Sequence, residues 1–178
     1  MTDLEQIQEA AAGQHLAFLL IGGLAVIEHG FARLTADLEL LARRKGAENW
    51  KRLLVSLGYR LVHEQAAFQQ YEKPQARTWP LDLMLVNETT FDSLQAASLE
   101  VNVMDAQIRM VSLNHLLALK LHVLKQGKLH RFLDDFNDVV ELVKANHLDL
   151  QSPELRALFL KYGTSELYEK IRKFTRTT

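Results

Sequence analysis

The chain contains no cysteine, which excludes disulfides and thiolate metal centres. It also has no excess of charge. Lys and Arg number 21 against 22 Asp and Glu, a formal net charge of −1, so no overall field draws it to nucleic acid or membrane and any basic surface must be local. No apolar run approaches the roughly 20 residues of a membrane span. The start, Met1-Thr2-Asp3-Leu4-Glu5, lacks the basic segment and apolar stretch of a secretory signal, so a cytoplasmic location is expected. Repeats, low-complexity tracts and long linkers are missing as well. What is present is 178 residues, 48% of them apolar, enough for one domain with a sizeable core.

Hydrophobic periodicity orders the chain. Residues 3–13 read as a helix with Leu4, Ile7 and Ala11 on one face, and residues 15–21 as a short buried strand ending at Gly22-Gly23. A short helix, residues 24–29, stops at Gly30, and residues 35–42 read as an acidic strand. A helix over 47–57 presents Trp50, Leu53, Leu54 and Leu57 on one face. Strands are expected at 59–63 and 68–71 (a hairpin), 80–86, 99–104 and 108–111, with a short helix at 91–97. From Ser112 the period changes from 2 to 3.6 and stays there: helices follow over 113–126 and 131–145, then two more, the first opened by Ser152-Pro153-Glu154. The reading is a mixed α/β core, residues 1–111, followed by a C-terminal helical part, residues 112–178, the two sharing one core.

Within the first part, Ile21-Gly22-Gly23 is followed after 13 residues by Asp37-Leu38-Glu39-Leu40. Alternation on a strand puts Asp37 and Glu39 on one face, with Thr35 beside them, and Leu38 and Leu40 in the core. Two carboxylates opposite a glycine turn suit a divalent metal and a phosphate held together. Taken singly, an Asp-x-Glu strand is often just the wet face of a sheet. Asp82 stands in Leu81-Asp82-Leu83-Met84-Leu85-Val86, a strand apolar enough to be buried on both faces, where an ionised carboxylate needs a partner or a cation. Arg60 and Arg77 are the candidate partners if its role is structural.

Two later helices carry charge on apolar faces. Lys120 lies in the stripe of Leu113, Leu116, Leu117, Leu121 and Leu124. Asp135 lies in the arc of Phe132, Leu133, Phe136, Val139, Val140 and Val143, with Asp138 at its edge. A buried Lys120–Asp135 bridge is one explanation, and a cleft lined by these groups is the other. The histidines show no metal spacing. Arg43-Arg44-Lys45 reads as a solvated loop or a phosphate guide, and Lys125, Lys128, His130 and Arg131 as a second basic group. Leu167, Ile171 and Phe174 form the apolar face of a docked terminal helix.

The glycine turn, spacer and Asp-Leu-Glu-Leu strand resemble the signature of the nucleotidyltransferase superfamily of the DNA polymerase β type, with a spacer at the long end of its range. Gly23-Leu24-Ala25, Arg33-Leu34-Thr35-Ala36-Asp37, the late Lys120 and Asp135-Phe136-Asn137-Asp138 resemble more narrowly the bacterial branch of abortive-infection and toxin–antitoxin nucleotidyltransferases. The resemblance spans residues 16–145. It implies a mixed sheet flanked by helices, and transfer of a nucleoside monophosphate from a nucleoside triphosphate to an RNA, protein or small-molecule hydroxyl. It further implies Mg²⁺ or Mn²⁺ on Asp37, Glu39 and Asp82, and nucleotide contacts from Gly22, Gly23, Thr35, Lys120, Asp135 and Asp138, with Lys120 offsetting phosphate charge. An antitoxin partner is a further implication. A catalytically inactive relative acting as a binding or regulatory protein is the alternative, and a small nucleic-acid-binding module is disfavoured by the net charge.

Overall fold

The computed structural model describes residues 1–74, 78–127 and 129–176, with backbone alone for 129–131. Arg77, Lys128 and the side chains of His130 and Arg131, singled out in the sequence, lie outside the described residues.

Helix α1 (Asp3–Gly13) opens with a capping box. Thr2 Oγ1 accepts from Glu5 N–H while the Glu5 carboxylate accepts from Thr2 N–H, and Leu4, Ile7 and Ala11 are its buried face. β1 (Phe18–Leu20) runs straight into α2 (Gly22–Glu28). β2 (Leu38–Arg43), a 3-10 turn at Arg44–Gly46, and α3 (Ala47–Ser56) follow; α3 buries Trp50, Leu53 and Leu54. Next come β3 (Arg60–Gln65), β4 (Phe68–Glu72), β5 (Leu81–Val86) and α4 (Glu88–Ala96), the last capped by Asn87 accepting from Thr90 N–H at 2.8 Å. β6 (Leu99–Val103) and β7 (Ala106–Met110) form a hairpin whose two turn residues, Met104 and Asp105, both have positive φ, as a tight twisted hairpin requires.

The strands make one mixed sheet of seven in the order β3-β4-β5-β2-β1-β7-β6. β2 pairs parallel with β5 and β1 parallel with β7; the other neighbours are antiparallel. Every residue of β2 from Leu38 to Ala42 is buried, as expected for a central strand covered on both faces. β5 differs from the sequence expectation. Leu81, Leu83 and Leu85 are buried, but Asp82, Met84 and Val86 are only half-buried, so one face alone is packed as in core. The acidic strand is also shorter than expected. It begins at Leu38, where β5 supplies a partner at Leu81, and Thr35 and Asp37 precede it without a ladder to join.

The remaining helices are α5 (Leu113–Lys125), α6 (Leu129–Ala145), α7 (Pro153–Tyr162) and α8 (Ser165–Thr175). Ser152 Oγ caps α7 with Pro153 at its start, and Thr164 caps α8. The chain forms two compact units. One, the sheet unit, is Met1–Ala25 with Leu34–Ser112; the other, the helical unit, is Leu113–Thr178 with Val26–Arg33, so the division falls inside α2. In the helical unit the segment after α2 is tied to the residue following α6, Asn146, whose Nδ2 donates to the His29 carbonyl at 2.8 Å. Leu167 and Ile171 of α8 are buried as expected, whereas Phe174 is about half exposed and edges onto Phe136 at 5.5 Å between ring centroids.

Candidate active site

Gly22 has φ +66, a left-handed conformation that costs an L side chain roughly 1–2 kcal/mol. A second constraint acts at the same residue. A methyl group there would overlap the carboxylate, Cδ and Cβ of Glu39. The Glu39 side chain therefore lies along the glycine turn, and its Oε2 accepts from the Gly23 N–H at 2.8 Å, one of the amides a helix start leaves without an intrahelical acceptor. The backbones are tied too, Ile21 N–H donating to the Glu39 carbonyl at 3.0 Å. Glu39 is 8% exposed.

Glu39 and Asp82 are register partners on the parallel strands β2 and β5, so their side chains leave the same face of the sheet. On β4, Gln70 stands opposite Asp82. Asp37 lies in the bend just before β2, where its Oδ1 accepts from Thr35 Oγ1 at 3.1 Å. The sheet unit thus brings Gly22, Gly23, Glu39 and Asp82 together by strand register, and attaches Thr35 and Asp37 through a short irregular segment. Three hard carboxylates here have the donor chemistry Mg²⁺ takes. As they stand, no three His, Asp or Glu residues among the described residues are gathered closely enough to hold a cation.

Lys120, Asp135 and Asp138 belong to the helical unit and form a buried charge network there. Lys120 is 5% exposed, and its Nζ lies 2.8 Å from Asp135 Oδ1 and 2.7 Å from Asp138 Oδ2. Asp138, 1% exposed, takes a second cation, the Arg33 guanidinium at 3.0 Å. The structure shows the bridge expected between Lys120 and Asp135 and extends it to Asp138. Arg33 had no signal in the sequence as a member of the network, because its register with α6 is set only by packing of the segment after α2.

Other charged candidates are committed to the scaffold. Arg43 does not stand in a solvated loop. It ends β2, bonds Asp92 and Gln95 of α4 and covers the Phe91 ring at 4.2 Å, while Arg44 donates to the Leu85 carbonyl at 3.3 Å. On the β3–β4 hairpin a chain of polar groups runs from Lys51 through Glu64 and Gln69 to Tyr71, whose hydroxyl donates to Gln69 Oε1 at 2.8 Å. The Lys51 hydrogen bond holds the Glu64 carboxyl below its usual range, and burial pushes the Tyr71 phenol well above its own. Alternation along β4 puts Gln69 and Tyr71 on one face, the sequence signal for this chain of contacts. Two clefts of about 480 and 430 Å³ lie elsewhere and are lined by none of the candidate carboxylates.

No protein-family model matches the chain, and no curated protein matches it. Solved structures do. ANT(2'')-Ia in complex with adenylyl-2''-tobramycin superposes with a TM-score of 0.66 at 15% identity, over 88% of this chain and 92% of that one. A nucleotidyltransferase-like protein from Paracoccidioides brasiliensis gives 0.58 at 15% identity, over 100% and 95%. The lincosamide antibiotic adenylyltransferase LnuA, lincomycin-bound, gives 0.54 at 17%, over 76% and 91%. The fold is that of the nucleotidyltransferases. Within the nucleotidyltransferase fold, the sheet carrying the glycine turn and the acidic strand, with a helical part after it, is the architecture the sequence motif implied.

Proposed function

We propose that this chain is a metal-dependent nucleotidyltransferase acting on an acceptor hydroxyl. The observation that carries the reading is the register pairing of Glu39 with Asp82 beside the Gly22-Gly23 turn, inside this fold. In the reaction the acceptor oxygen attacks the α-phosphorus of a nucleoside triphosphate. The α–β bridging P–O bond breaks, pyrophosphate leaves, and the acceptor proton passes to a base, the role assigned to Asp82. Asp37, Glu39 and Asp82 would hold the Mg²⁺ or Mn²⁺ that neutralises phosphate charge. Their oxygen donors fit such an ion; the Glu39 contact with Gly23 and the bend holding Asp37 mean that cation binding includes side-chain adjustment. The glycine turn would admit the triphosphate closely, with Thr35 beside it.

Two of the structural neighbours are complexes with adenylyl-2''-tobramycin and with lincomycin, which favours a small hydroxylated molecule as acceptor over RNA or protein. The toxin–antitoxin role rests on sequence resemblance alone, that of Gly23-Leu24-Ala25, Arg33-Leu34-Thr35-Ala36-Asp37, Lys120 and Asp135-x-x-Asp138. No helix among the described residues is long and apolar enough to cross a membrane.

The test is label transfer. The protein is incubated with each labelled nucleoside triphosphate, Mg²⁺, and in separate reactions an aminoglycoside, a lincosamide, total RNA and a protein extract. Wild type is expected to label an acceptor, and Asp37→Ala and Asp82→Asn to lower the rate by at least about 100-fold. The Glu39–Gly23 contact also favours a second reading, a relative that binds nucleotide without transferring it. Nucleotide binding with no acceptor ever labelled would establish that reading and end the first.

A further inference from the structure

We propose that Glu39 is a positioning residue that braces the glycine turn against the acidic strand through its length, in addition to the charge it brings. This deepens the reading of the site as a nucleotidyl-transfer centre and rests on it only for its nucleotide arm.

Three contacts make the brace. Oε2 of Glu39 accepts from Gly23 N–H at 2.8 Å, Ile21 N–H donates to the Glu39 carbonyl at 3.0 Å, and the Glu39 side chain fills the space that a Cβ on Gly22 would need. Turn and strand are thereby one rigid piece, from β1 at Leu20, paired with Leu40, to Asp82, paired with Glu39. The length of the side chain decides whether this works. An aspartate at 39 keeps the charge but is one C–C bond shorter, about 1.5 Å, and on this proposal that loss of reach breaks the bond to Gly23 N–H. A glutamine keeps the length and an oxygen that accepts the same bond, but loses the charge. Reach and charge can therefore be removed separately. A group acting only as a cation ligand tolerates Asp better than Gln; a brace tolerates Gln better than Asp at the Gly23 amide.

The experiment follows the Gly23 amide by ¹⁵N NMR and hydrogen exchange in the intact wild-type chain and in Glu39→Asp, Glu39→Gln and Glu39→Ala. Mn²⁺ binding, and the affinity for ATP, GTP, CTP and UTP at saturating Mn²⁺, are measured alongside. The Gly23 amide is expected to be protected in wild type and Glu39→Gln, and to exchange at least about tenfold faster in Glu39→Asp and Glu39→Ala. Glu39→Asp is expected to hold Mn²⁺ within about threefold of wild type yet bind the preferred nucleotide about tenfold more weakly, while Glu39→Gln weakens Mn²⁺ instead. An unprotected Gly23 amide in wild type overturns the brace, as does equal protection in Glu39→Asp and wild type. If no nucleotide binds wild type, the nucleotidyltransferase reading fails, and the order of amide exchange still decides the brace.

Discussion

At Gly22 two separate physical demands meet, and they can be told apart. The φ of +66 penalises any L side chain, and the Glu39 side chain occupies the position of a Cβ. Gly22→Ala is expected to destabilise by more than the roughly 1–2 kcal/mol of a left-handed residue, since Glu39 must also move. In Gly22→Ala/Glu39→Ala the overlap with the carboxylate and Cδ is gone, and the Cβ contact and the φ cost remain, so the combined loss measured by urea unfolding should be smaller than the sum of the single losses. A second residue predicts a pH effect. Burial holds the His115 imidazole below its ordinary pKa of 6.5. Below that pH the unfolded chain takes up a proton that the folded chain resists, so stability falls as pH drops from 6.5. His115→Gln is expected to flatten that part of the curve of urea midpoint against pH, and an unchanged slope would remove His115 as its source. The residue types of the candidate site stand out in the sequence because Gly-Gly, Asp-x-Glu and a lone Asp in an apolar strand are each chemically conspicuous. The hand-over of Glu39 Oε2 to Gly23 does not, since strand alternation assigns a face but no rotamer.

Elements were legible where their own sequence decides them and blurred where partners do. The helical spacing of Leu4, Ile7 and Ala11 in α1 and Ser152-Pro153 before α7 are local signals, and those helices stand where the residues place them. β2 starts three residues later than its apolar pattern suggests because no neighbour offers Thr35, Ala36 or Asp37 a ladder. In α5 and α6 the misplaced charges announced a network, but only the structure shows Lys120 shared between both aspartates with Arg33 behind Asp138. Taking Lys120 away leaves two buried carboxylates short of a cation. Lys120→Met is accordingly expected to cost about 3–5 kcal/mol in urea unfolding. Lys120→Met/Asp135→Asn/Asp138→Asn, which removes the stranded charges as well, should recover a good part of that loss. If the triple variant is no better than the single one, the aspartates are held by something other than Lys120.

At the scale of the whole molecule, the chain changes unit three times, between Ala25 and Val26, between Arg33 and Leu34, and between Ser112 and Leu113. A period change at Ser112 is visible in the sequence; the excursion of Val26–Arg33 is not, because its residues carry no pattern of their own and join the helices through Arg33–Asp138 and Asn146–His29. This has a consequence for dissection. A cut at 112/113 matches the change in period, yet it separates Val26–Arg33 from the helices that hold it. Residues 1–112 would then carry fully buried Val26 without the rest of its unit and Arg33 without Asp138, and residues 113–178 would carry Asp138 without its guanidinium. Each such loss is of the kind that costs about 1–5 kcal/mol, a large share of the 5–15 kcal/mol that holds a domain together. Expressed alone, each piece is expected to be poorly folded by amide exchange and prone to aggregate. Expressed together, they are expected to recover a soluble complex. Independent folding of the 113–178 piece with wild-type protection of α6 amides would show that the excursion adds nothing to the helices, and would locate its value wholly in where it leaves Gly22-Gly23 at one end and Thr35–Asp37 at the other.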